Sequence, residues 1–157
     1  MIRRGLFTGV AAAALATAVG CGSSSSAATA LQTCRPGQFR PTIVLNGATG
    51  GIVGVVKVQH VRGPACRLAT VVRAAVRRKN GTLVEPIAGN PGASPLRGRL
   101  GRGRSLAVSW VWRNWCGPEQ QFVLTASAGR ARARHAVPVP PRCDESASES
   151  TFERFRS

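Results

Sequence analysis

The chain has no tyrosine, one methionine and one aspartate, Asp144. Asp+Glu is only 6 in 157 residues, and between Cys34 and Cys143 the carboxylates are Glu85 and Glu119 alone. That scarcity excludes chemistry built on paired acids. Lysine is nearly missing too: Lys57 and Lys79 stand against 20 arginines. Beyond the first twenty residues no apolar run approaches the roughly 20 residues of a membrane-spanning helix. No amphipathic helical stripe is visible there either. The two histidines, His60 and His135, stand in no nucleophile motif and have no nearby carboxylate to share a metal. The glycines at 98–103 do not follow a strand into a helix, so they form no phosphate loop. The expectation is a non-catalytic protein without a cofactor. What is abundant is positive charge, a net +16, on a chain that is 43% hydrophobic. A disordered polycation would not carry that much apolar content, so a folded domain is expected.

Residues 1–20 read as an export signal. Arg3 and Arg4 precede an Ala-rich apolar run from Leu6 to Val19, which ends in small residues. Ala18-Val19-Gly20-Cys21 and the serines 23–26 after it resemble a bacterial lipobox, in which the cysteine thiol takes the lipid and becomes the new N-terminus. Ala18 stands where such signals usually carry leucine. Cleavage after Ala16-Thr17-Ala18 or Ala28-Thr29-Ala30 would instead release a secreted protein. Lipid attachment at Cys21 is the expectation. It places the protein on the outer face of the cytoplasmic membrane, held there through its N-terminal lipid. The Arg3-Arg4 pair is ordinary in general secretion and does not require the twin-arginine route.

Export decides how the other cysteines are read. With Cys21 set aside, Cys34, Cys66, Cys116 and Cys143 form an even set in an oxidising compartment, which favours two disulfides. Structural zinc usually takes closely spaced cysteine pairs, and gaps of 32, 50 and 27 residues are not of that kind. Sequence alone leaves three pairings open.

Residues 21–33 are Ser/Ala/Thr-rich and read as a tether. From Phe39 the apolar period is two, the mark of half-buried strands. Phe39, Pro41, Ile43 and Leu45 alternate with polar or small neighbours. The same pattern recurs at 52–61, 72–77 and 106–113, then at 122–126 and 131–139. Asn80-Gly81 predicts a hairpin with a return strand at 82–84. Residues 88–105, with five glycines and two prolines, are expected to be mostly loop. About seven short strands in residues 34–143 predict an all-β, two-sheet antiparallel sandwich of immunoglobulin-like size. Residues 144–157 are Ser-rich and hold four of the six acids, and are expected to form a disordered tail. The tail and the signal cancel in charge, so the net +16 belongs to the domain.

An ordered set of motifs resembles a known family. Cys34 opens the domain, followed by Gly47-Ala48-Thr49-Gly50 and a Val-rich strand. Pro64-Ala65-Cys66-Arg67-Leu68, the Leu100-Gly101 turn before the Ser105–Trp112 strand, Trp115-Cys116 and a closing Cys143 complete the set. Together they resemble the domain of unknown function 4232, found in actinobacterial lipoproteins and secreted proteins. The resemblance covers the whole domain and implies a β-sandwich without assigned catalytic residues, so no site residue is carried over. Val61-Arg62 and Ala69-Thr70-Val71 depart from the family's usual Asn and Gly-x-Pro at those places. With the strand directions assumed for such a sandwich, Cys34 pairs with Cys66 and Cys116 with Cys143.

The remaining candidates are arginines. Arg97, Arg99, Arg102 and Arg104 crowd eight residues, Arg73 and Arg77 share one strand face, and so do Arg132 and Arg134. The planar guanidinium suits phosphates and carboxylates. These eight form the candidate anion-binding set, toward anionic lipids or acidic envelope polymers; export argues against nucleic acid as the physiological partner. The competing explanation is composition, since a GC-rich genome favours Arg over Lys. An envelope enzyme or enzyme inhibitor with a loop-built site is the alternative function. Trp110 and Trp112 belong to the core, as does Trp115 beside Cys116, and both histidines are expected to be partly buried. Mass spectrometry of the exported protein should give an N-terminal, lipid-modified Cys21. An unmodified N-terminus at Val19, Leu31 or any residue other than Cys21 would show release without an anchor.

Overall fold

In the computed structural model, which describes residues 30–48 and 50–155, strand alternation sets almost every element. The export signal, Cys21 and most of the tether lie outside the described residues. Eight strands run in chain order: β1 (Phe39–Ala48), β2 (Gly51–His60), β3 (Cys66–Arg78) and β4 (Gly92–Leu100), then β5 (Ser105–Arg113), β6 (Phe122–Ala128), β7 (Ala131–Val137) and β8 (Thr151–Phe155). They form two four-stranded antiparallel sheets, ordered β1-β2-β5-β8 and β4-β3-β6-β7. Packed face to face, these make the all-β sandwich expected, and no helix occurs among the described residues.

The inner faces are filled by one residue in two. On β3, Leu68, Val72, Ala74 and Val76 are buried, while Arg67, Ala69 and Arg73 between them are exposed. On β5, Val108, Trp110 and Trp112 point inward. Trp112, Trp115 and Phe122 meet edge to face, with Phe122 centroids 5.0 Å and 5.3 Å from the two indoles. Each such contact adds about 0.5–1.5 kcal/mol beyond area burial.

Three segments differ from the sequence expectation. Residues 92–100 are not loop but the edge strand β4, paired with β3 from Cys66↔Leu100 to Ala74↔Gly92. Its inward positions include Ser94 and Gly98, and its outward ones Pro95, Arg97 and Arg99, so the apolar alternation is faint. An edge strand tolerates Pro95, whose missing N–H leaves no central ladder bond unmade. Gly98 is there for space: a Cβ at this position would lie 2.9 Å from the Leu106 methyls.

The second correction is the tail. Residues 151–155 form β8, paired with β5 from Ser109↔Phe155 to Arg113↔Thr151, so the domain runs past Cys143 to the end of this strand. Phe152 is 2% exposed and stacks on Trp110 at 6.3 Å with an interplanar angle of 5°. Two phenylalanines three residues apart in a Ser- and Glu-rich context give little period-two signal, yet the burial of Phe152 holds the segment. Ser150 fixes the approach, accepting from Trp112 Nε1 at 3.1 Å and donating to the Arg113 carbonyl at 3.0 Å. The Asn80-Gly81 turn is present, with Gly81 at φ +94°, but its return is a single bridge, Arg77↔Leu83, rather than a strand.

The two disulfides are Cys34–Cys66 and Cys116–Cys143, at opposite ends of the sandwich. The first ties the incoming chain to the start of β3, reinforced by the Cys34 N–H donating to the Arg67 carbonyl at 3.0 Å. The second ties the segment after β7 to that after β5, where Asn114 Oδ1 accepts from the Asp144 N–H.

Phe152→Ala should destabilise the domain by about 3–5 kcal/mol, as other buried Phe truncations do. Urea unfolding followed by tryptophan fluorescence would measure this, and an unchanged midpoint would show β8 to be dispensable. Removing Cys34–Cys66 as a double serine variant should cost roughly 2–5 kcal/mol in the same assay.

Candidate functional site

The eight candidate arginines fall into two groups. Arg73, Arg77, Arg132 and Arg134 line one groove of about 570 Å³ on the outer face of the β4-β3-β6-β7 sheet, with Thr125 and Ser127 on its floor. The ladder explains the gathering. Arg73 is opposite Ser127, and Ser127 is opposite Arg132, so these two arginines flank a hydroxyl across three strands. Neighbouring strands lie roughly 4.8 Å apart, which sets the two arginine positions about 10 Å from each other. One row along, Thr125 pairs with Arg134. Two of the guanidiniums are held by backbone carbonyls: Arg77 donates to Gly81 at 2.8 Å and Arg134 to Lys79 at 3.3 Å.

The second group is at the other end of the same face. Arg99 is the cross-strand partner of Arg67, an arginine the sequence reading did not select, and Arg97 is the partner of Ala69. Like charges directly opposite one another destabilise a ladder. Arg102 and Arg104 lie beyond, in the turn from β4 to β5, where the Arg104 carbonyl accepts from the His60 N–H. Ala69, Val71 and Pro95 occupy the rows between the groups. None of the four strands of this sheet carries an aspartate or glutamate.

An apolar pocket of about 450 Å³ adjoins the face, between the incoming chain at Cys34 and Pro36 and the β6–β7 turn at Gly129 and Arg130. Neither this pocket nor the arginine groove is lined by a histidine or a carboxylate. His60 is half-buried, its Nε2 3.2 Å from the Pro64 carbonyl. His135 shares the inward parity of Ala133 and Val137, but it is exposed because β7 is the edge of its sheet. Glu85 and Glu119 lie in the β3–β4 and β5–β6 connections. Among the described residues, no group of three or more His, Cys, Asp or Glu side chains is placed to hold a metal ion.

The acids have their own address. Asp144 is exposed and accepts from both the hydroxyl and the N–H of Ser146, which hold its carboxyl below the ordinary 3.8. No family model matches the chain, and no curated protein or solved structure matches it either.

A carboxyl with a lowered folded-state pKa stabilises the fold above its unfolded pKa, and the stabilisation disappears as pH falls through the folded value. Ser146→Ala should therefore move the Asp144 titration upward toward the ordinary range, read by NMR of the side-chain carboxyl. An unmoved titration would show that the Ser146 hydroxyl does not hold the carboxyl, leaving the backbone N–H as its partner.

Proposed function

We propose that this chain is a non-catalytic binding or scaffolding domain of the bacterial cell envelope, held at the membrane by a lipid on Cys21. Its working surface is the outer face of the β4-β3-β6-β7 sheet, which takes anionic envelope components. One observation carries the reading: seven arginines stand outward on this sheet (Arg67, Arg73, Arg77, Arg97, Arg99, Arg132 and Arg134), and no carboxylate shares its strands. A guanidinium set without internal counter-ions is left to external anions. The groove between Arg73 and Arg132 suits a phosphate or carboxylate group, with Ser127 and Thr125 as further hydrogen-bond partners. Successive outward arginines along a strand suit a polymer with repeated anionic groups better than a single small ion. The family resemblance is consistent with this role, since it implies exported sandwiches without assigned catalytic residues.

The full chain with Cys21→Ser should bind inorganic polyphosphate, and binding should weaken steeply with salt as the Debye length falls from about 10 Å at 0.1 M to about 3 Å at 1 M. Replacing Arg73, Arg77, Arg132 and Arg134 together by Gln should weaken binding by roughly tenfold or more, and replacing them by Lys should fall between. Binding unaffected by the Gln variant would overturn the groove as the site.

A further inference from the structure

The sandwich is electrically polarised along its strands. β1, β3 and β5 begin at one end, where β2 and β4 finish; the β6–β7 turn points the same way and stops at the level of Val72, beside the incoming chain. That end also receives the incoming chain, which is fastened by Cys34–Cys66 and by Arg67 N–H donating to the Gln32 carbonyl at 2.8 Å. Its connections are the segment 30–38, the β2–β3 turn 61–65, the β4–β5 turn 101–104 and the β6–β7 turn 129–130. They carry Arg35, Arg62, Arg102, Arg104 and Arg130, all exposed, and no acid. Val61 is 47% exposed among them. The connections at the opposite end hold Glu85, Glu119, Asp144, Glu145 and Glu149 against Lys79 and Arg142, and the remaining acid, Glu153, is on β8 near that end. Every carboxylate of the domain thus lies away from the end where the tether enters.

We propose that the tether end is a docking surface for an anionic phospholipid bilayer, so that the domain stands with its arginine turns on the membrane and its acidic end outward. The chain between Cys21 and Leu31 is short: ten residues reach at most about 35 Å even fully extended. A lipid on Cys21 would therefore keep these turns within reach of the headgroups. At that distance the sign of the charge decides which end faces the bilayer, because anionic headgroups attract arginine and repel the carboxylate end. Arginine can fork onto a phosphate, and a partly exposed valine beside it suits the interfacial region. The inference takes from the proposed function only the envelope location. It does not use the groove on the sheet, so failure of polyphosphate binding leaves it standing.

Two charge-matched variants of the Cys21→Ser chain separate the turns from the sheet. One replaces Arg35, Arg102, Arg104 and Arg130 by Gln, leaving Arg62, whose Nε donates to the Gly37 carbonyl. The other replaces Arg73, Arg77, Arg132 and Arg134 by Gln. Each is checked for folding by near-ultraviolet circular dichroism, then titrated against vesicles of phosphatidylglycerol and phosphatidylcholine in equal parts. The turn variant should bind roughly tenfold more weakly or worse, and the sheet variant should stay within a factor of about two. Hydrogen exchange on the vesicles should slow at 61–65 and 101–104 and not at 144–149. Loss in the sheet variant alone would lay the membrane along the sheet and overturn the proposal. Equal loss in both would reduce binding to net charge and overturn it as well, as would an unmodified Cys21→Ser chain that ignores these vesicles. Should a turn variant misfold, the exchange pattern of the Cys21→Ser chain decides the matter alone.

Discussion

A guanidinium without a carboxylate must stay in water. Burying one unpaired would cost more than the whole net stability of a domain this size. With sixteen net charges on about 110 residues, that constraint governs where every arginine goes. The β-strand meets it simply, because alternate side chains point to opposite faces. On β3 the pleat sends Arg67, Arg73 and Arg77 outward while Leu68, Val72 and Val76 fill the core. A helix of the same composition would have had to fit its arginines around a stripe. The sandwich only has to keep register, and the apolar parity of β3, β5 and β6 keeps it.

Two ends do different mechanical work. At the tether end the buried core is mostly aliphatic, with Phe39 packed against it, and the Cys34–Cys66 bridge supplies the closure there. At the other end three tryptophans and two phenylalanines concentrate the large buried area, with Cys116–Cys143 beside them. That aromatic end explains why a five-residue strand after the last cysteine is ordered. β8 contributes Phe152 to a wall that Trp110 and Trp112 already form, and its docking needs few backbone bonds beyond that burial.

The segments legible in the sequence are those whose inner residues are branched or aromatic. β1, β2, β3, β5 and β6 announce themselves by period two, and the bridge pairing follows from the direction in which strands alternate. β4 and β8 are not legible for a physical reason. β4 interrupts its inward leucines with Gly92, Ser94 and Gly98, and Trp110 crowds Gly92 while Leu106 crowds Gly98 from the facing sheet. Among the described side chains of β8 the buried one is Phe152, and its stacking partner, Trp110, lies far back in the chain. A local pattern cannot report a site whose shape is set by a distant tryptophan. The arginines at 97–104 are legible as one cluster but not as two kinds: Arg97 and Arg99 belong to a strand, Arg102 and Arg104 to a turn, and only the ladder separates them. Arg67 went unselected because its significance is its cross-strand partner, Arg99.

Composition explains part of this charge and not the rest. A genome rich in GC will write Arg for Lys wherever a cation is tolerated, and that accounts for twenty arginines to two lysines. It does not account for the carboxylates. Glu85, Glu119, Asp144, Glu145 and Glu149 come from three separate connections, yet all three lie at the same end of the sandwich. Codon bias acts along the sequence and has no knowledge of which connections become neighbours after folding. Part of this segregation is already in the sequence, where residues 144–149 hold three of these acids, and folding adds Glu85 and Glu119 to the same end. A charged plane at one end, close to where the chain is anchored, would impose that separation on a domain tethered above it.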